Sequence, residues 1–363
     1  MVSTHQSIVM RKKSIVLFST IIISMFLSTA LAKPAKGVSD MIDLRAKVRD
    51  VTSTTVTVVI DNTEEVITIP QDTVFPGLYT LKKNDRVQVS HIMDVTGEGY
   101  YVISGFVRSP AIIWLFICFI ALILLLYRKK GIASIGNLVL LLCSILFIMV
   151  PLILRGYSPV LVTTVVGTIA LSSSVFISYG NTKKSLATIV SMLLSVLIVG
   201  ILSSLAISFA TLTGFNSEEA SILLGLGYDK LNMHSLLLAA MIIGALGVLD
   251  DLIISQISAV EELQHANPSL TKKELFAAAM RIGKDHSTAV INTLALAYTG
   301  AAFPLVILLY IGESPFDSIS NTLNNEVVAT EIVRLLSGTM GVILSIPIAT
   351  WIGVTILQGN KKR

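Results

Sequence analysis

The sequence predicts a membrane all-α helical bundle of about seven spans, preceded by a leader and a small extracytoplasmic β-barrel-like domain. Three observations carry this. The chain is 53% hydrophobic and only 14% charged, whereas soluble domains carry about 25% charged residues, so lipid must solvate most of it. Its apolar residues gather into runs near the roughly 20 residues that a bilayer core demands of a helix. Its basic residues fall in short clusters beside those runs, as in cytoplasmic loops. The formal charge of +4 therefore reads as topology, and no nucleic-acid partner is implied.

Residues 1–32 are expected to be a signal peptide or signal anchor. Arg11-Lys12-Lys13 precede the apolar run Ile15 to Leu31, which ends in Ala30-Leu31-Ala32. A basic segment, an apolar segment and an A-x-A-like site are the three parts of a secretory signal. The run is long for one, so cleavage after Ala32 and retention as an anchor both stay open.

Residues 40–108 read as an extracytoplasmic β domain, OB-like. Thr54 to Ile60 and Glu65 to Ile69 are β-branched runs separated by Asp61-Asn62-Thr63, a hairpin signal. Leu44–Val51, Arg86–Met93 and Tyr100–Val107 supply three further strands, with turns at Pro76-Gly77 and Asn84-Asp85. Basic and acidic residues nearly balance here, so no polyanion-binding face is indicated.

Residues 110–363 hold the spans: Ala111–Tyr127, Ile135–Leu154, Val160–Tyr179, Leu186–Leu212, Met233–Ile257, Ala289–Ile311 and Ile332–Leu357. With residues 33–109 outside, Arg128-Lys129-Lys130, Lys183-Lys184, the Lys272/Lys273/Arg281/Lys284 loop and Lys361-Lys362-Arg363 all fall inside. Every basic cluster then obeys the positive-inside rule, with a cytoplasmic C-terminus. Glu218 to Tyr228 suits an interfacial helix, and Thr271 with Glu274 can form a capping box. Cys118 and Cys143 sit in apolar runs and read as packing residues.

The fifth span carries the chemistry most worth asking about. Gly244, Gly247, Asp251, Ser255 and Ser258 recur every three or four residues, on one helical face. Small residues there let another backbone approach. An acid at mid-bilayer costs about 2.5–3.5 kcal/mol on insertion scales, so such residues face a bundle interior or a wet cavity. Asp250 points about 100° away. On the sixth span Asp285 and Asn292 follow one stripe, and Asn292 is the expected neighbour of Asp251. The seventh span carries Glu331 and Arg334, spaced to pair, then Gly338, Gly341 and a kink signal at Pro347. Gly300 closes the sixth span as another packing glycine. Neither H-E-x-x-H nor G-x-S-x-G occurs, and the cysteines offer no zinc spacing, so no catalytic residue, metal or cofactor is expected.

The run from Gly244 through Asp251 to Ser258, with Glu262-Leu263 and Pro268, resembles the YibE/F family of bacterial membrane proteins. Gly283-Lys284-Asp285, Asn292 to Gly300, Pro304, Glu331 to Arg334 and Pro347 continue the likeness. The leader and β domain resemble a YibE-type member. Asp250 and Gln256 stand where the family tends to be apolar. The resemblance implies a multi-pass protein of the bacterial cell membrane, without an assigned activity, working beside a second YibE/F-type membrane protein. The expected function is transport of a small solute or ion through a polar site between spans five and six, formed by Asp251, Asn292, Ser255, Asp285 and Asp250. The alternative is a non-transporting scaffold or sensor that recruits an envelope partner through the β domain.

Overall fold

β-Branched alternation builds the N-terminal sheet. The computed structural model describes residues 42–61, 63–70, 80–93, 99–228 and 231–358. The leader, the Pro76-Gly77 turn, Asn62 and Lys361-Lys362-Arg363 lie outside the described residues. Strands β1 (Ile42–Val51), β2 (Thr55–Ile60), β3 (Val66–Pro70), β4 (Arg86–Met93) and β5 (Gly99–Phe106) form one sheet in the order β3-β2-β1-β4-β5. All pairings are antiparallel. Strand β2 alternates strictly between half-buried and buried positions, the two-residue period of a sheet with one covered face.

The five strands match the sequence reading, but the closed barrel does not. Among the described residues no ladder joins β3 to β5, so the sheet is open. Ile69 of β3 and Ile103 of β5 nevertheless belong to one buried cluster with Val48, Val58 and Val89. The sheet therefore curls until both edges share a core. Bulges between Val48 and Asp50 and between Gln88 and Val89 increase this coiling. Alternation specifies which face is covered, whereas closure depends on edge pairing that no local period encodes.

The helices are α1 (Ser109–Ser144), α2 (Val150–Leu154), α3 (Pro159–Tyr179), α4 (Lys183–Phe209), α5 (Glu218–Gly225), α6 (Met233–Ala266), α7 (Lys272–Ala301), α8 (Phe303–Ile311), α9 (Ile319–Asn324) and α10 (Glu326–Gln358). A π-helical turn, Ile145–Met149, joins α1 to α2. The chain divides into two compact units at Ile132 and Ala133. Helix α1 is broken at Arg128, which has φ 49°. Ser109–Arg128 and Gly131–Leu154 are accordingly separate membrane-length segments. No part of the first is buried, and Cys118 on it is exposed and free.

Among the described residues six helices are long and apolar enough to span a membrane, and a seventh span exists if α7 and α8 count together. That pair corrects the sixth expected span. Instead of one helix over Ala289–Ile311, α7 runs unbroken from Lys272 and bends by 72° into α8. Pro304 lies in the first turn of α8 and has no N–H to continue the α7 ladder. Arg281 and Lys284 thus belong to a continuous helix and not to a loop. The Thr271–Glu274 capping box opens it, with Thr271 N–H donating to Glu274 Oε2 at 2.8 Å.

In the second unit, α4, α6 and α10 surround the main core. Val199, Ile207, Ile242, Leu249, Ile253 and Ala349 meet there. Helix α3 packs on α6, and α7 packs on α6 and α10. Contacts at the two ends confirm the up-and-down chain path. At one end Lys184 pairs with Glu261 at 2.9 Å, and Gln358 Nε2 donates to the Leu270 carbonyl at 2.7 Å. The Lys183-Lys184 cluster and the α6–α7 turn therefore share one end of the bundle.

At the other end the Glu326 carboxylate accepts from Thr213 N–H at 2.7 Å, Gly214 N–H at 2.9 Å and the Thr213 hydroxyl at 2.8 Å. Gly214 has φ +88°, and a Cβ there would collide with the Met233 carbonyl. Only glycine serves both demands. Hydrogen bonds to a charged group contribute about 1.5–3 kcal/mol. Glu326→Ala should therefore lower the thermal midpoint of the purified protein in detergent, by an amount matching about 2 kcal/mol. An unchanged midpoint would show that this clamp carries no stability.

Candidate functional site

Helix α6 is 34 residues long, about 51 Å at the helical rise, and Asp250 and Asp251 lie at its midpoint. Its ends are anchored by Asn232, whose Oδ1 accepts from Ser235 N–H at 2.8 Å, and by the Lys184–Glu261 pair. The two aspartates face different surroundings. Asp251 is exposed, as are Gly244, Gly247 and Ser255 on the same stripe, while Ser258 is half-buried and donates to the Ile254 carbonyl at 2.8 Å. Asp250 is half-buried, with its Oδ1 enclosed by the chain.

Asp251, the expected neighbour of Asn292 between α6 and α7, lies on the exposed side of α6. Asn292 and Asp285 are exposed on α7. The seam itself consists of Leu252, Val248, Leu294 and Tyr298, closed by Gln256. Gln256 is 2% exposed and donates through Nε2 to the Ala279 carbonyl at 3.0 Å and to Thr350 Oγ1 at 2.7 Å. It ties α6, α7 and α10 together. Its signal in the sequence was a polar residue one turn from Leu252, on the apolar side of the helix.

The glycines divide the same way. A Cβ on Gly244 would lie 3.3 Å from the Tyr298 hydroxyl, so one backbone contact forms on that stripe. Among the described residues, Gly247, Gly300 and Gly338 have no atom within 4 Å of an added Cβ. Gly341 is one, pressed on Val199 of α4. Gly167, Gly283 and Gly353 make close helix contacts that the spacing argument passed over. Glu331 and Arg334 of α10 pair at 2.7 Å, both about one quarter exposed. His286 is half-buried on α7.

The family model described as YibE/F-like protein matches residues 115–359. The chain belongs to the YibE/F family. The matched region begins inside α1, takes in every later helix, and leaves the five-stranded sheet outside. No curated protein and no solved structure matches the chain. Family membership and the apolar helices together make this a multi-pass membrane protein in contact with a lipid bilayer. On α6 and α7, the candidate residues and Gln256 fall into two sets: an outward one of Asp251, Ser255, Asp285 and Asn292, and an inward one of Asp250 and Gln256.

Proposed function

We propose that this YibE/F protein is a transporter-like or permease-like subunit of the bacterial cell membrane. Its polar path runs along the exposed Asp251 face of α6 and the Asn292 face of α7. A second YibE/F-type membrane protein covers these faces and completes the path for a small solute or ion. Residues 33–109 stand outside the cell in this reading, and the basic clusters inside. One observation carries it: an exposed carboxylate at the midpoint of a membrane-length helix, beside the open notch of Gly247. Lipid is a poor environment for that carboxylate, by about 2.5–3.5 kcal/mol. Water or a partner protein must therefore lie against it.

Asp251→Asn keeps the side-chain size and removes the charge. Losing a hydrogen bond to a charged group is worth about 1.5–3 kcal/mol, so flux should fall roughly tenfold to a hundredfold at normal membrane abundance. The measurement is complementation of a deletion strain across a panel of salts and small solutes. Full complementation by Asp251→Asn would overturn the transport reading. The alternative is a scaffold whose sheet recruits an envelope partner, supported by the sheet's standing as part of a separate unit outside the family match. In that case, removing the sheet and not Asp251 should abolish complementation.

A further inference from the structure

We infer that Asp250 is a cation site, holding a proton or an alkali-metal ion between α6 and α3. Asp250 lies one helical turn beyond Leu246, on the same stripe. The Leu246 Cδ1 atom occupies the space beside Gly167 of α3, so α3 packs on this side of α6. The two helices run in the same direction, and the next turn brings Asp250 to the level of Leu171. There its Oδ1 is enclosed, and no protein donor reaches it.

The charges around Asp250 are the deciding point. Helix α3 has no charged residue over Pro159–Tyr179, and its one titratable group, Tyr179, lies at the far end beside Lys184. The α1 segment from Gly131 onward, with the π-helical turn and α2, carries only Cys143 as a titratable side chain. Helix α4 has lysines only at Lys183 and Lys184, its first residues, and Lys184 is engaged by Glu261. The groups of α7 and α10, namely Arg281, Lys284, Asp285, His286, Tyr298, Glu331 and Arg334, belong to helices packed on the opposite side of α6, along Val248 and Leu252. On α6 itself the neighbour is Asp251, a like charge.

An enclosed carboxylate oxygen with a like charge beside it and no cationic partner among the described residues needs a positive counterpart from beyond them. On α3, one turn before Leu171, Thr168 Oγ1 is a further enclosed oxygen without a partner. Oxygen is the ligand type that hard cations take. The site is independent of the solute path proposed above, because it lies on the inward face and not on the Asp251 stripe.

The test uses the purified full-length protein and dicyclohexylcarbodiimide, an apolar reagent for protonated carboxyls in membranes, with labelled peptides read by mass spectrometry. Asp250 should be labelled in choline buffer, and the labelling should persist in Asp251→Asn and vanish in Asp250→Asn. Several-fold protection by sodium or lithium at constant ionic strength and pH assigns a metal ion. Loss of labelling only as the pH rises assigns a proton. As a second readout, the thermal midpoint should follow the same cation in wild type and in Asp251→Asn, and should cease to follow it in Asp250→Asn. Absence of label at Asp250, or label and midpoint both indifferent to alkali cations and pH, would overturn the assignment. Either result leaves the Asp251 complementation test unaffected.

Discussion

Gly341→Leu is expected to lower the thermal midpoint of the purified full-length protein steeply and to cut its accumulation in the membrane. The reason is a close helix crossing in the second unit. Gly341 of α10 lies against Val199 of α4, and an added Cβ would overlap the Val199 Cγ2 methyl. Val199 is 1% exposed, and a β-branched side chain in a helix has one strongly preferred rotamer, so it has little room to turn away. Ser195 and Ser203 stand one turn to either side of Val199, both buried, and Ser337 and Ser345 stand one turn to either side of Gly341. This small-residue seam lets the two backbones approach as membrane helices do when dispersion contacts bind them. Overpacking such a site costs about 1–3 kcal/mol for a few methylenes, a large part of a total stability of about 5–15 kcal/mol. Gly341→Ala should cost less, and Val199→Ala should recover most of that cost in the double variant. Equal midpoints for Gly341→Leu and wild type would refute the contact.

Which small residues serve packing could not be read from spacing alone. Gly244, Gly247, Asp251 and Ser255 have the period of a contact face, yet all four are exposed, and of the two glycines a described residue approaches Gly244 and none Gly247. A period shows that residues share a face; it does not show whether that face meets the same chain or another. The same limit governed the two aspartates. Their 100° separation was legible, but the inward one proved to be Asp250, because Leu246 and Gly167 direct α3 to its side of α6. The spans were legible wherever an apolar run ended in a basic cluster or a proline, as at Pro159 and Tyr179. In α7 the amphipathic helix and its Thr271 cap were legible, but not that it runs on without a break into the sixth span. The five strands followed from β-branched alternation, while the open edge between β3 and β5 depended on pairing between distant segments.

Gln256→Glu should be among the most damaging single-atom changes in the bundle, while Gln256→Leu should be mild. The Gln256 amide is buried where α6, α7 and α10 meet, and its two bonds are both donations: to the Ala279 carbonyl and to Thr350 Oγ1. A carboxylate in its place can make neither donation if ionised, and it sets negative oxygen against a carbonyl about 3 Å away. Leaving a buried charge uncompensated costs about 3–5 kcal/mol. Leucine removes both donations but strands little, since Thr350 Oγ1 still donates to the Ile346 carbonyl at 2.7 Å and a helical carbonyl keeps its own backbone bond. Its cost should stay near 1 kcal/mol, the net value of such bonds. Gly283 makes room for the amide: a Cβ there would lie 2.7 Å from Gln256 Oε1 and 2.6 Å from Ile346 Cγ2. Gly283→Ala should therefore be destabilising in the wild type and less so beside Gln256→Ala. Thermal midpoints of the single and double variants in one detergent decide this. If Gln256→Glu melts with Gln256→Leu, the three-helix junction is not the closed, donor-dependent contact that the distances describe.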